Sequence, residues 1–265
     1  MYPIIMVLSH RRSGTHLTID SITNNFEIFN SAEKKEYFTL DHVFNKSKFK
    51  SDEDILNFLD ILVTSPTVLK SHSINDITRY FNNCSSLVRN RVSEIFENSH
   101  KVYVYRDGRD VMVSLYHYQK SFNEKTREQT FSQFLRDPCG YDKHCHAGKI
   151  YSKPGFWGEH VNSWLSDENV EGVRYQDFIE DSESVLKRIS SRTNFKLVDE
   201  LVDLTMRKDG ENLVRKNQRL INKRTSVSFR GGRVGDWSST FSDEDVVYFQ
   251  EELNLVSSSL NKILD

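Results

Sequence analysis

The sequence predicts a single α/β domain over residues 1–265, with a central, mainly parallel sheet flanked by helices. Short runs of β-branched and aromatic residues alternate with longer stretches that have a helical pattern, and this alternation is typical of βαβ units. The chain of 265 residues is long enough for a substantial core. It contains no Pro-, Gly- or Ser-rich linker, no low-complexity tract and no internal repeat. These observations favour one domain over two.

The first predicted element is an apolar run from Ile4 to Leu8, which is short and continuous like a strand buried on both faces of a parallel sheet. A polar loop follows, in which Gly14 permits a tight turn and a close approach of backbone to ligand. Apolar residues then recur at roughly helical spacing, at Leu17, Ile19, Ile22 and Phe26. The N–H groups near Gly14 would therefore begin a helix and attract an anion, and Arg11 and Arg12 add positive charge.

Strand, anion-binding loop and helix together predict a P-loop-like nucleotide-binding core. The loop is not an ordinary triphosphate loop, because Gly14 is followed by Thr15 and His16 rather than by Lys and Ser or Thr, and position 9 holds Ser rather than Gly. A chance strand-to-helix turn is the alternative interpretation.

Three further strands are predicted, at 67–70, 102–105 and 172–175. Helices are predicted at about 53–62, 86–98, 109–121, 128–136, 156–166, 181–191, 196–208 and 243–262. Ligands of parallel sheets bind beyond the carboxyl ends of the strands, so polar groups there should converge on one edge. Those groups are the Arg11/Arg12 loop, Lys70-Ser71-His72, Arg106-Asp107-Gly108-Arg109 and Tyr175-Gln176-Asp177. Their convergence favours a site, although strand ends are commonly polar.

Composition restricts the class of protein. The 36 Lys and Arg nearly balance 38 Asp and Glu, which argues against a protein that coats nucleic acid. No segment approaches the roughly 20 apolar residues of a membrane helix, and the first apolar run lacks the basic leader of a secretory signal. A soluble, cytoplasmic protein is therefore expected.

The cysteines Cys84, Cys139 and Cys145 are odd in number and have no framework spacing, which indicates reduced thiols. The segment from Cys139 to His146 contains four potential metal ligands. Its spacing matches no standard zinc pattern, so a surface loop without metal is expected.

Five segments, taken together, resemble the sulfotransferase family that uses 3′-phosphoadenosine 5′-phosphosulfate (PAPS). Residues 12–16, Arg-Ser-Gly-Thr-His, resemble that family's 5′-phosphosulfate loop, and residues 103–118 follow its 3′-phosphate segment through their Arg, Asp-Val, Val-Ser and Tyr-His positions. Residues 230–237, Arg-Gly-Gly-Arg-Val-Gly-Asp-Trp, resemble its C-terminal signature, and 70–72 and 175–177 resemble its Lys-Thr-His and Tyr-Glu-Asp segments. Because the segments occur in the family's order, their combination is far more specific than the loop alone.

The resemblance implies two anion clamps for PAPS and for its product 3′-phosphoadenosine 5′-phosphate (PAP), with no metal. The 5′ end would bind to the backbone N–H groups and side chains of the first loop, Arg11, Arg12, Ser13, Gly14, Thr15 and His16. The 3′-phosphate clamp would comprise Arg106, Ser114, Phe229, Arg230, Gly231 and Gly232, and Tyr175 would contact the adenine. The plain alternative for Arg106 and Arg109 is a surface ion pair with Asp107 and Asp110. For Arg230 it is a solvated turn, and for Tyr175 it is a core aromatic.

The reaction that the resemblance implies is in-line transfer of a sulfuryl group to an acceptor hydroxyl, with three catalytic residues. His72 matches the family's base, and an ordinary histidine has a pKa suited to taking a proton near neutrality. Lys70 would steady the transferring group, although a solvated strand end is its plain alternative. Arg12 replaces a lysine common in this loop, and it stabilises charge on the leaving phosphate without donating a proton.

Acceptor identity is less defined by the sequence. Arg12 mildly favours a glycan or glycosylated metabolite, and the alternatives are a small phenolic or lipid alcohol, a nucleotide-kinase-like phosphotransferase, and a non-catalytic binding module. The stretches 31–66 and 119–160 offer acceptor-pocket aromatics, namely Phe38, Phe44, Tyr141, Tyr151, Phe156 and Trp157, each of which is equally read as a core residue. Gly231 stands where the family usually has a lysine. Its side-chain contact with the 3′-phosphate would then have to come from Arg233 or Arg109. The sequence leaves open whether the helix at 243–256 packs on the core or on a second subunit. The second case would give a homodimer.

Overall fold

The computed structural model describes residues 2–30, 37–42, 49–77, 81–138, 151–205 and 233–264. The chain divides into two compact units that alternate along the sequence. The first unit comprises residues 1–9, 14–105 and 164–206, and the second comprises 10–13, 106–163 and 207–265. One domain over 1–265 stays a prediction.

A five-stranded parallel sheet forms the centre of the first unit, with strand order β2-β3-β1-β4-β5. The strands are β1 (Ile4–Leu8), β2 (Tyr37–Thr39), β3 (Thr67–Ser71), β4 (His100–Tyr105) and β5 (Val170–Arg174). The α/β fold and the four predicted strands are confirmed. Sequence patterning missed β2, because three residues are too few to show an alternation.

The register of the sheet brings the ends of β1 and β3 together. All five residues of β1 are buried, as expected of a central strand covered on both faces. Leu8 pairs with Ser71, the last residue of β3, and with Tyr103 of β4. Ser9 and His72 therefore leave the sheet side by side.

Helices of the first unit are α1 (Thr15–Asn25), α2 (Glu27–Asn30), α3 (Asp52–Leu62), α4 (Ser86–Glu97), α9 (Tyr175–Glu180) and α10 (Ser182–Thr193). The predicted apolar face of the first helix is buried, at Leu17, Ile19, Ile22 and Phe26. Helix α3 begins at a complete capping box, in which Ser51 and Asp54 exchange side-chain and backbone hydrogen bonds.

Helices of the second unit are α5 (Gly108–Lys120), α6 (Glu124–Glu128), α7 (Phe131–Arg136), α8 (Lys153–Leu165, whose last two residues belong to the first unit) and α11 (Asp243–Asn254). The start of α5 is packed tightly, since a Cβ added at Gly108 would lie 2.7 Å from both Trp157 and Phe249. Trp157 and Phe249 are fully buried and Phe156 nearly so, so the core alternative describes Phe156 and Trp157.

Several predicted boundaries are wrong. The predicted helix at 196–208 is absent from its described part, because Asn25 holds that segment: its backbone oxygen accepts from the Val198 N–H at 2.9 Å, and its side chain bonds both backbone groups of Val202. The predicted helix at 128–136 is two helices, the second starting at a capping box on Thr130. The predicted helix at 243–262 ends at Asn254, and a 3-10 helix follows at Ser258–Ile263. Tyr175 begins α9 rather than ending β5.

Among the described residues, no helix has both the length and the apolar composition needed to cross a membrane.

Candidate active site

His72 follows β3 and is oriented by Ser9, which follows the neighbouring strand β1. The ring Nδ1 lies 2.9 Å from the backbone oxygen of Ser9. A carbonyl oxygen only accepts hydrogen bonds, so Nδ1 must carry a proton. In the neutral ring, Nε2 is therefore the nitrogen able to accept a proton, as a general base requires.

Asp41 holds the main chain at His72, a contact that no sequence pattern indicates. Its carboxylate accepts hydrogen bonds from the His72 N–H at 3.1 and 3.2 Å and from the Ser71 hydroxyl at 2.8 Å. The Ser71 oxygen in turn accepts from the Ser73 N–H at 3.0 Å. Asp41 lies on a short 3-10 helix after β2, 31 residues from His72 in sequence, so only the fold brings them together.

Lys70, the predicted catalytic lysine, is the penultimate residue of β3. Its side chain is half-buried, and its Nζ lies 5.9 Å from the centre of the Tyr37 ring. The Tyr37 hydroxyl also lies 3.1 Å from Nε2 of His16, one of the predicted donor-binding residues. Burial, with a smaller contribution from Asp20, raises the pKa of the Tyr37 hydroxyl, so it stays protonated at neutral pH.

Gly14 and Thr15 form the start of α1 in the first unit. Gly14 is the N-cap and has φ +107°, and no side chain caps the helix. Helix N-termini of this kind leave backbone N–H groups available to an anion. The buried Thr15 hydroxyl lies 2.6 Å from the Ser9 hydroxyl.

Tyr175 covers Gly14 from the start of α9. A Cβ at position 14 would lie 2.4 Å from Tyr175 Cδ2, so no side chain fits there without displacement. Tyr175 is itself buried, which agrees with the core alternative for this residue. Its predicted contact with adenine stays a prediction.

In the second unit, Arg12 and Ser114 contact each other. Arg12 has φ +71°, in the left-handed region where a non-glycine residue is uncommon. Its Nε donates to the Ser114 hydroxyl at 3.0 Å, and its guanidinium lies 4.9 Å from the centre of the Tyr118 ring. The sequence assigned Arg12 and Ser114 to different clamps and did not single out Tyr118.

Asp110 on α5 organises the second predicted clamp. Its buried carboxylate accepts from the N–H groups of Gly235 at 2.9 Å and Trp237 at 3.1 Å, and it pairs with Arg106 at 3.1 Å. Arg106 also donates to the backbone oxygen of Arg233. These contacts join the 3′-phosphate segment to the Gly-Asp-Trp segment, two of the five motifs.

Arg109 pairs with Asp107 at 2.7 Å and stacks 3.9 Å from the centre of the Trp237 ring. The ion pairs named as alternatives for Arg106 and Arg109 are thus present. They are not surface pairs, since the Arg106, Asp107, Arg109 and Asp110 side chains are all at most 14% exposed.

His10 precedes the two loop arginines and is buried in the second unit. Its Nδ1 donates to the Arg11 backbone oxygen at 2.9 Å, and its ring meets His160 edge-on at 5.5 Å. Burial above all, and then the neighbouring His160, lower the pKa of His10 to about 3. His10 is therefore a neutral ring at physiological pH.

Ser13 has a buried hydroxyl whose hydrogen-bonding capacity suits an anion. Its hydroxyl is fully buried and has no hydrogen-bond partner among the described residues. A buried hydroxyl without a partner is unfavourable, whereas a bound anion would satisfy it. This hydroxyl in the second unit and, separately, the uncapped start of α1 in the first unit each fit a phosphate oxygen of a PAPS-type donor.

Other predicted residues lie outside the described part of the chain. They are Phe229, Arg230, Gly231 and Gly232 of the 3′ clamp, Phe44 and Tyr141 of the acceptor aromatics, and the segment from Cys139 to His146. Cys84 is described, and it is a buried free thiol.

Comparison with known proteins places these motifs in one family. The model of the sulfotransferase domain matches residues 3–254, and the chain belongs to that family. A 3-alpha-hydroxysteroid sulfotransferase of Cavia porcellus is 29% identical over 151 residues, which cover 53% of this chain and 50% of that protein. The chain thus spans about half the length of the curated hydroxysteroid sulfotransferases it matches.

Solved structures share the fold. Mouse sulfotransferase SULT7A1 complexed with PAP superposes with a TM-score of 0.60 at 18% identity, over 98% of this chain and 87% of that one. Retinol dehydratase in a complex with retinol and PAP gives a TM-score of 0.56 at 18% identity, over 96% and 81% of the two chains.

Proposed function

We propose that this protein is a sulfotransferase that moves a sulfuryl group from PAPS to an acceptor hydroxyl. The observation that carries the proposal is the cluster at the ends of β1 and β3, where His72, Ser9 and Thr15 are joined by hydrogen bonds. It links a base to an anion-binding helix start, which are the two functions that the transfer needs. Family membership and the two PAP-bound structures of the same fold support the choice of donor.

His72 is the proposed base. With its Nδ1 proton held by the Ser9 carbonyl, Nε2 takes the proton of the acceptor hydroxyl as the oxygen attacks sulfur. Asp41 acts indirectly, because it anchors the backbone of His72. Lys70 contributes positive charge near the same strand end, where negative charge on the sulfonate needs stabilising.

The proposed donor-binding residues are those that the family resemblance implies. At the 5′ end, Thr15, Gly14 and Ser13 hold anionic oxygens through hydroxyl and backbone N–H groups, and Arg12 stabilises charge on the leaving phosphate. At the 3′ end, Ser114, Arg106 and the residues Phe229, Arg230, Gly231 and Gly232 hold the phosphate. Arg106 already pairs with Asp110, so a phosphate there shares the guanidinium with that carboxylate.

The proposed acceptor is a small hydroxylated lipid or phenol. The names of the hydroxysteroid relatives and the retinol-bound structure support this choice. A glycan acceptor is the second candidate, and its support is Arg12 in the first loop. Arg12 contacts Ser114, a residue of the proposed donor site, so Arg12 carries little weight for the choice of acceptor. Homodimer formation and a cytoplasmic location stay predictions.

An acceptor screen tests the proposal. Purified protein is incubated with radiolabelled PAPS and hydroxysteroids, phenols or oligosaccharides, and PAP binding is measured by calorimetry. We expect PAP binding and label transfer to hydroxysteroids or phenols, undiminished by EDTA; transfer to oligosaccharides alone would favour the glycan. Mg²⁺-dependent transfer from ATP would favour a phosphotransferase. PAP binding without any transfer would favour a non-catalytic binding module. No transfer and no PAP binding would overturn the proposal.

Arg230→Ala is expected to weaken PAP binding by about 10- to 100-fold, because a hydrogen-bonded charge on the 3′-phosphate is lost. Calorimetry measures the change in Kd. Arg188→Ala is the matched control, because Arg188 pairs with Glu171, the second residue of β5, and its Kd should equal that of the wild type. Equal Kd values for both variants would remove Arg230 from the clamp.

A further inference from the structure

We propose that Ser9 is a positioning residue that directs the Thr15 hydroxyl hydrogen toward the donor's 5′ anion. The proposal rests on the proposed function, because it concerns the same donor loop. Ser9 is fully buried directly after β1. Its hydroxyl lies 2.6 Å from the Thr15 hydroxyl and 3.2 Å from Nδ1 of His72, and its carbonyl lies 2.9 Å from the same nitrogen.

The direction of these hydrogen bonds follows from the chemistry of each group. Nδ1 carries a proton, because it faces the Ser9 carbonyl. The Ser9 hydroxyl therefore accepts a hydrogen bond from Nδ1, and its own hydrogen can be donated to another partner. The Thr15 oxygen at 2.6 Å is at hydrogen-bonding distance for an O–H donor.

Once Ser9 donates to Thr15, the Thr15 hydrogen must point elsewhere. Phosphate oxygens without protons only accept hydrogen bonds, so an anion at the start of α1 requires this orientation. The chain of donors runs from His72 Nδ1 to Ser9, from Ser9 to Thr15, and from Thr15 to the anion. Ser9 thereby removes rotational freedom from the Thr15 hydroxyl before the donor binds, which improves affinity by preorganisation.

A double-mutant cycle on PAP affinity tests this role. Ser9→Ala is expected to raise the Kd for PAP by about 3- to 10-fold, the range of one net hydrogen bond. Thr15→Val, which removes the hydroxyl that contacts the anion, should raise it by about 10- to 100-fold. Because Ser9 acts through Thr15, the double variant should bind PAP no worse than Thr15→Val alone.

Kinetics distinguish positioning from a structural role. Ser9→Ala should raise KM for PAPS while kcat stays within about 3-fold, because the Ser9 carbonyl that orients His72 remains. The control is Ser21→Ala, which removes another buried hydroxyl, on α1, and should leave the Kd for PAP unchanged. If Ser9→Ala loses its cooperative thermal transition, Ser9→Cys repeats the test, because a thiol has similar size and donates weakly.

The outcomes separate the two proposals. If the wild-type protein binds PAP but Ser9→Ala leaves the Kd unchanged, or if the losses in the cycle are additive, the role of Ser9 is overturned. The proposed function is then unaffected. Wild-type protein that binds no PAP would overturn the proposed function and the role of Ser9 with it.

Discussion

His72→Ala is expected to lower kcat by about two to four orders of magnitude, the usual contribution of a general base. Nε2 of His72 is the proposed proton acceptor, because the Ser9 carbonyl holds the proton on Nδ1. Alanine keeps the backbone N–H that Asp41 binds, so the strand end should keep its shape. The Kd for PAP should therefore stay close to the wild-type value, and steady-state kinetics with saturating acceptor measures the loss of kcat.

His100→Ala is the matched control for this prediction. His100 lies at the first residue of β4, at the opposite end of the sheet strands from His72, and its removal should leave kcat unchanged. The acid limb of the pH profile, which reports protonation of the base, should also disappear in His72→Ala. Wild-type turnover in that variant would exclude His72 from proton transfer.

Gly14→Ala is expected to destabilise the protein by about 2–5 kcal/mol, the sum of two effects. Alanine at φ +107° is strained, which costs about 1–2 kcal/mol. Its Cβ would also lie 2.4 Å from the Tyr175 ring, and relieving such an overlap costs about 1–3 kcal/mol. The start of α1 must shift, so PAP binding should fall by more than about 100-fold through loss of aligned N–H groups. Urea unfolding and calorimetry measure the two effects.

Gly235→Ala separates strain from steric overlap. Gly235 has φ +80°, but a Cβ there would meet nothing within 4 Å among the described residues. Its substitution should therefore cost only the strain, about 1–2 kcal/mol. If both alanine variants lose the same stability, Tyr175 does not close the space over Gly14.

Much of the fold was predictable because its signals are local. Runs such as Ile4–Leu8 are continuous and apolar, and the structure makes this run a central strand. The positions of His72, Arg106 and the first loop after strands followed from the same pattern. Boundaries were predicted less well: the segment after 196 is held by Asn25 of α1, a contact that no nearby residue reveals.

The contacts within the candidate site were not predictable in the same way. Asp41 supports His72 from a separate 3-10 helix, and Asp110 binds the N–H groups of Gly235 and Trp237 across more than 120 positions of sequence. Arg12 was assigned to the leaving phosphate, yet its side chain contacts Ser114. Each of these contacts depends on which elements become neighbours after folding, and residue periodicity carries no such information.

Residue types and their order along the chain were sufficient to predict the α/β class, the family resemblance and the candidate base, because strand patterns and anion-binding loops are short-range features. The folded chain was needed to establish the tautomer of His72, the burial of Ser13 and the closure of Gly14 by Tyr175. The tautomer of His72 depends on the neighbouring ends of β1 and β3, and the closure of Gly14 depends on α9. Hydrogen-bond direction and steric exclusion exist only once such distant segments are in contact.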